Sequence, residues 1–422
     1  MRFLLSTIGT RGEVQPLVAL AVELKAMGHE VVVCAPPDFR EWAGSLGITY
    51  VPVGPELRGT AKQSAGAVPT PEQRRLMIEG TVATQFEAVG AAAEGCDAVV
   101  AGGALAVAAR SVAEQRGIGY VYAAFAPVTL PSERHAPPVF GMLGQQPAAG
   151  NADHRALWAE DAARWNALWA GPLNARRAAA GLPPAEDVRA HIFTASPWLA
   201  ADPVLAPWPQ PSAALDVLQT GAWLLPDDRP LSPEVEAFLD SGEPPVYCGF
   251  GSVRAPDGVA GTVIGTARAL GRRVIVSRGW ADLAPVDDGP DCLTIGEVNQ
   301  RALFPRVAAV MHHGGAGTTT AATAAGTPQV VLPQMFDQFY FAGRVARLGI
   351  GSAPPAGAPA AEPLRTALRA ALAPEVADRA RSVAGTVRTD GARTAARRLA
   401  EGARRTGRPA RPARSSTPTG RR

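Results

Sequence analysis

The sequence predicts an α/β protein made of two tandem parallel-sheet domains that face each other across a central cleft. Three observations carry this. Short β-branched or apolar runs alternate with helical patterns twice over, before and after a proline-rich stretch at residues 198–231. With 422 residues, 47% of them hydrophobic, the chain is long enough to fill two cores. Each series also carries a glycine-rich turn between a strand pattern and a helix pattern, GTRGEVQP at 9–16 and HHGGAGTTT at 312–320. Open parallel sheets bind ligands at the carboxyl ends of their strands, which is where such turns lie.

In chain order, FLLSTI, EVVVCAP, ITYVPVG, DAVVAGG and GYVYAAFAP read as the strands of the first series, with PLVALAVELKAMG and ALAVAARSVAEQRG among the helices between them. Residues 55–80 and 126–150, rich in Pro, Gly and Gln, read as loops over a cleft. Trp158, Trp165 and Trp169 recur near multiples of 3.6 and share a helical face, either core or the wall of an apolar acceptor site. The first domain is expected over 1–205 and the linker over 206–230. PPVYCGFGSV, RRVIVSRGW, CLTIGEV, VAAVMHHGG and TPQVVLPQ supply the strands of a second domain, 231–385. A C-terminal helix at 386–404 and a basic, disordered tail at 405–422 complete the expected order.

Composition excludes several classes. The formal charge is only +3, and much of the basic excess lies in the C-terminal stretch, so nothing suggests nucleic-acid binding. No apolar run approaches the ~20 residues of a membrane span, and the start of the chain lacks the pattern of a signal peptide. A cytoplasmic protein without stable membrane association is expected. Cys34, Cys96, Cys248 and Cys292 have neither CxxC nor zinc-type spacing and read as buried free thiols. The acidic pairs Asp227-Asp228 and Asp287-Asp288 fall in linker and loop and read as solvated turns, so no metal ligand set is expected.

The segment from Met311 to Val345 is the most informative. An apolar strand runs into His312 and His313, then a glycine-rich turn, then the threonines that open a helix. Glycines let backbone approach a bulky anion, and the free N–H groups and dipole at a helix start favour phosphate. A histidine at the strand end can donate to a phosphate oxygen. A diphosphate is the guest this pattern fits.

This segment resembles the C-terminal signature of the UGT-like GT-B glycosyltransferases, and its wording is closest to the actinomycete enzymes that glycosylate glycopeptide antibiotics. The opening LLSTIGTRGEVQPLVALAVEL, CAPPDF, RRVIVSRGWADL and EVNQRALFPRVAAVMHH carry the same resemblance, which runs from Met1 to about residue 400. It implies two tandem Rossmann-like domains, an NDP-sugar donor (dTDP or UDP) used as a substrate with no cofactor, and an apolar or peptide-like aglycone as acceptor. His313 with Gly314, Gly315, Ala316, Gly317 and Thr318 matches the positions that hold the donor diphosphate; Gly251 and Ser252 match the first loop of the nucleotide domain. Asp337 and Gln338 match the pair that hydrogen-bonds the donor sugar, and Trp280 and Val298 fall in segments that line the base. Many relatives place a ribose-binding Glu where this chain has Ala321.

An inverting transfer needs a base for the acceptor hydroxyl. The resemblance places that base at Glu13, where the antibiotic subgroup has Asp in GTRGDVQP; Asp337 is a second candidate for assisting deprotonation. The extra methylene leaves two outcomes, a base refitted to another acceptor or a weakened catalyst, and a surface Glu favoured by the helix dipole is a third. A dehydrogenase would need GxGxxG after the first strand, which GTRGEV does not supply. A GT-B epimerase would not need the apolar loops and tryptophans of the first domain. A family member that only binds a sugar nucleotide, or assists a partner, is the non-catalytic alternative.

Overall fold

The computed structural model describes residues 1–62, 69–139, 153–209, 215–284, 287, 289–355 and 360–405. The first sheet contains β1 (Arg2–Ser6), β2 (Glu30–Ala35), β3 (Thr49–Pro52), β4 (Ala98–Gly102), β5 (Gly119–Ala124), β6 (Trp198–Leu199) and β7 (Leu218–Gln219), in the order β3-β2-β1-β4-β5-β6-β7. The second contains β8 (Val246–Gly249), β9 (Val274–Ser277), β10 (Cys292–Ile295), β11 (Ala309–His312), β12 (Gln329–Val331) and β13 (Gly351–Ser352), in the order β10-β9-β8-β11-β12-β13. The central strands pair in parallel, and their apolar runs are buried throughout because helices cover both faces. In each sheet the order reverses between two neighbours, β1 and β4 in one and β8 and β11 in the other. Ligands bind outside the carboxyl ends of strands at such reversals. The turns after β1, β8 and β11 are those that carry Glu13, Ser252 and His313.

Two short pairings escape the sequence. β6 lies at the start of the proline-rich stretch and β7 within the segment expected as linker, so the first sheet extends into 206–230. Two-residue strands have no periodicity to detect, and they form only because a parallel edge is there to receive them. The loop expected at 55–80 also gives way to a helix, Pro71–Ala92. Its start was legible: Thr70 accepts from the Gln73 amide, and the Gln73 side chain accepts from the Thr70 amide, with Pro71 in the first helical position. Much of the expected loop at 126–150, and the tail beyond 405, lie outside the described residues.

The C-terminal helix spans Gly391–Arg405 and returns to the first domain, where Ala392, Ala395, Ala396 and Leu399 join the core that holds Leu17, Leu20 and Leu24 of helix Arg11–Ala26. The i, i+3, i+4, i+7 spacing gives this helix one apolar stripe, which must be buried. Arg393 Nε donates to Glu23 at 3.2 Å along its edge. A side chain at Gly391 would meet the backbone of Gly221 and Ala222 at 2.4 Å, so the crossing depends on glycine. Among the described residues no helix is long and apolar enough to cross a membrane.

Candidate active site

A cleft of about 1510 Å³ runs between the carboxyl ends of the two sheets. On its first-domain side, the helix after β1 begins at Arg11. Thr10 precedes it, yet its hydroxyl caps no amide; it donates instead to Glu13 Oε2 at 3.1 Å. The Glu13 side chain folds back over Gly9 and against Gly103. A Cβ at Gly9 would lie 2.7 Å from Glu13 Cδ, and one at Gly103 would lie 3.2 Å from Glu13 Cγ. Two glycines therefore form a slot that takes the longer carboxylate. Burial raises the Glu13 pKa above the ordinary glutamate value, opposed by the Thr10 hydrogen bond. A carboxylate in this state is a stronger base than one in water.

The same turn touches the second domain. The Arg11 amide donates to Ser252 Oγ at 3.1 Å, and its guanidinium bonds Glu297 Oε1 at 2.7 Å and Gln15 Oε1 at 2.9 Å. The guanidinium also lies 4.3 Å from the centre of the Trp42 ring. Phe39 stacks on Trp280 at 5.6 Å, and Lys62 pairs with Asp282 at 3.0 Å. Arg11 thus brings the Glu13 turn against the loops after β8 and β10, while Phe39 and Lys62 meet the loop after β9.

The two histidines have separate tasks. His312 is buried: its Nδ1 accepts from the Gly314 amide at 3.1 Å, and its Nε2 donates to Gln329 Oε1 at 3.0 Å. It ties the turn to β12 and is held neutral by burial, its pKa pushed down to about 3. His313 lines the cleft, and its Nδ1 is buried without a hydrogen-bond partner. Burial pushes its pKa down to about 4, so it is neutral at pH 7. The Nε2 edge of its ring points at Gly315, where a Cβ would meet Nε2 at 2.5 Å, and the ring stacks on Phe250 at 6.4 Å.

Gly315 then precedes the helix Ala316–Ala324, which has no side-chain cap. The amides of Ala316, Gly317 and Thr318 have no partner within the helix, since the first intrahelical bond is Thr319 N–H to Gly315 O. The Thr319 and Thr320 hydroxyls turn back to the carbonyls of Gly315 and Ala316, whereas Thr318 lines the cleft. Gly251 adopts φ 60°, and its carbonyl accepts from the Trp280 amide at 2.8 Å, joining the loops after β8 and β9. The result is an anion cradle of free amides beside a neutral imidazole.

Asp337 lines the cleft at the start of helix Gln338–Leu348 without capping it. The residue before it, Phe336, is held at φ 56°. That region costs a non-glycine residue about 1–3 kcal/mol, and such strain collects at functional sites. Burial, then the nearby Glu13 charge, raise Asp337 to about 7. The Gln338 side-chain oxygen is committed to the loop: Oε1 accepts from the amides of Gln334 at 2.8 Å and Met335 at 3.2 Å. Trp280, Val298 and Ala321 also line the cleft, Trp280 being packed against Phe39 of the first domain.

The tryptophan face is buried core, and one of its members reaches the cleft. Trp165 and Trp169 stack at 5.7 Å, all three tryptophans are buried, and only Trp165 of the three lines the cleft. Tyr122, Asp161 and Arg189, also in the cleft wall, went unnoticed in the sequence. Asp161 had a signal: three residues after Trp158 and four before Trp165, it puts a charge on an apolar stripe. Among the described residues, no group of three or more His, Cys, Asp or Glu is placed to hold a metal ion.

Comparisons with known proteins identify the family and the fold. The glycosyltransferase family 28 N-terminal domain matches residues 3–133, and the erythromycin biosynthesis protein CIII-like C-terminal domain matches 262–396. The chain is 54% identical to glycosyltransferase GtfE of Amycolatopsis orientalis over 94% of this chain and 96% of that one. It is 52% identical to the vancomycin aglycone glucosyltransferase of the same organism, over 94% and 97%. Among solved structures, spinosyn forosaminyltransferase SpnP matches with a TM-score of 0.70 at 20% identity, over 96% of this chain and 99% of that one. Glycosyltransferase VinC, solved in complex with dTDP, matches with a TM-score of 0.66 at 21% identity, over 96% and 100%.

Proposed function

Because the chain belongs to the GT-B glycosyltransferase family of GtfE and the vancomycin aglycone glucosyltransferase, we propose that it transfers a sugar from a dTDP- or UDP-sugar to a hydroxyl of a natural-product aglycone in antibiotic biosynthesis. In this reading the transfer inverts the anomeric centre and uses no metal ion. The observation that carries it is the Arg11–Ser252 contact, which holds the turn bearing Glu13 against the first loop of the nucleotide domain.

Glu13 takes the proton of the acceptor hydroxyl as its oxygen attacks the anomeric carbon. The bond from that carbon to the diphosphate breaks on the opposite face, and the electron pair leaves with the phosphate oxygen. The charge that develops there falls on the free amides of Ala316, Gly317 and Thr318 and on His313, whose neutral ring can still donate one hydrogen bond. Asp337 and Gln338 hold hydroxyls of the sugar. Near neutral pH Asp337 is divided between its acid and carboxylate forms, so it can donate as well as accept.

Replacement of Asp by Glu at the base position was the one feature that favoured a binding-only protein. The Gly9–Gly103 slot supports a fitted base instead. The test is release of nucleoside diphosphate from dTDP- and UDP-glucose with and without vancomycin aglycone and a panel of other aglycones. Release that requires an acceptor is the expected result; no release with any pair would favour the binding-only reading.

A further inference from the structure

The acceptor half of the cleft contains an ion pair that the transfer mechanism leaves unused. Asp161, on helix His154–Ala179, is bonded to Arg189, on helix Val188–Phe193. The two residues are 3% and 5% exposed, and both line the cleft. The Arg189 guanidinium lies 4.5 Å from the centre of the Trp158 ring and 5.1 Å from that of Phe193. Among the described residues only its Nη1 has an acceptor, and its Nε is sealed from solvent without one. Tyr122, which also lines the cleft, lies near enough to both Arg189 and Glu13 to feel their charges.

For stability alone this arrangement is a poor choice. Well-packed apolar residues of the same volume commonly serve a fold as well as a buried ion pair or better, and a buried donor without a partner is a cost. A ligand oxygen meeting the guanidinium where it lines the cleft would give it a second acceptor. Aromatic walls supply area without discrimination, whereas a fixed hydrogen-bond donor rejects any acceptor that lacks the matching oxygen.

We propose that Arg189, held in place by Asp161, is an acceptor-specificity residue that donates a hydrogen bond to a phenolic or carbonyl oxygen of an aromatic aglycone lying against Trp165. This rests on the reading of the chain as an aglycone glycosyltransferase. Asp161 acts only through Arg189 and is a positioning residue.

The test uses the full-length protein and isothermal titration with vancomycin aglycone, and separately with dTDP and UDP. Arg189→Met alone strands the Asp161 charge and can unfold the protein. The decisive variant is therefore the double substitution Asp161→Leu/Arg189→Met, with Arg189→Lys as the charge-conserving control. The double variant is expected to weaken aglycone binding by ~10-fold or more, with nucleotide affinities within about twofold of wild type. Arg189→Lys should recover part of the loss, because it keeps a donor but not the planar fork. Unchanged aglycone affinity in a double variant that melts normally would overturn the proposal. So would equal loss of aglycone and nucleotide binding, which would make the pair a support of the fold. A wild-type protein that binds the aglycone through Arg189 but transfers no sugar would sustain this proposal while counting against the transfer reading.

Discussion

Glu13 occupies the space that a side chain at Gly9 would need: a Cβ there would come within 2.7 Å of Glu13 Cδ and 2.8 Å of Oε2. The Glu13 side chain is thus folded into a gap between Gly9 and Gly103, and Thr10 holds the carboxylate. The position of this carboxylate depends on the absence of a side chain four residues earlier in the chain.

Gly9→Ala should therefore act on catalysis through Glu13. Gly9 is not in the left-handed region, so the added methyl costs no backbone strain, and the neighbour that must move is a flexible side chain. A displacement of ~1 Å in a reacting group can cost ~10²-fold in rate. Steady-state kinetics should show a kcat loss of that order with donor KM near wild type. An unchanged kcat would show that the slot does not set the position of the carboxylate.

His313→Ala should lower kcat/KM by ~10²-fold, the usual effect of losing one donor to a developing oxyanion. His312→Ala should instead reduce stability, since His312 secures the turn through Gly314 and Gln329. Melting curves beside the kinetics separate the two. A stable His312 variant and an unstable, fully active His313 variant would reverse these assignments.

How much of this was legible in the chain varies by element. The strands β1, β2, β8 and β11 are apolar runs buried on both faces, and sequence shows them directly. The glycine turn before Ala316 marked where backbone amides open at a helix start, because glycine permits close approach. β6 and β7 were hidden because their two residues carry no period of their own. The Arg11–Ser252 contact joins residues 241 positions apart and depends on how the two sheets face one another, which no local pattern encodes. Asp161 and Arg189 were missed for a similar reason: only the fold brings them together, although Asp161 interrupts an apolar stripe.

Asp337 should leave a mark on stability as well as on rate. Its pKa is raised from 3.8 to about 7, by burial and then by the Glu13 charge. Between those pH values the folded state keeps a proton that the unfolded chain has lost. The stabilisation from that proton is complete below the unfolded value and is lost as pH rises through the folded one. Asp337→Asn, which cannot ionise, should gain Tm relative to wild type between pH 4 and pH 8, by on the order of 1–3 °C. A difference in Tm that stays flat across this range would mean that Asp337 titrates normally.

The most direct test of the central claim is single-turnover sugar transfer by wild type and Glu13→Gln, at saturating dTDP- or UDP-glucose and vancomycin aglycone. The substitution keeps shape and removes the proton acceptor. If Glu13 is the base, the rate should fall by ~10²-fold or more while nucleotide and aglycone affinities stay near wild type. A Glu13→Gln enzyme that transfers sugar at a near-normal rate would contradict the assignment.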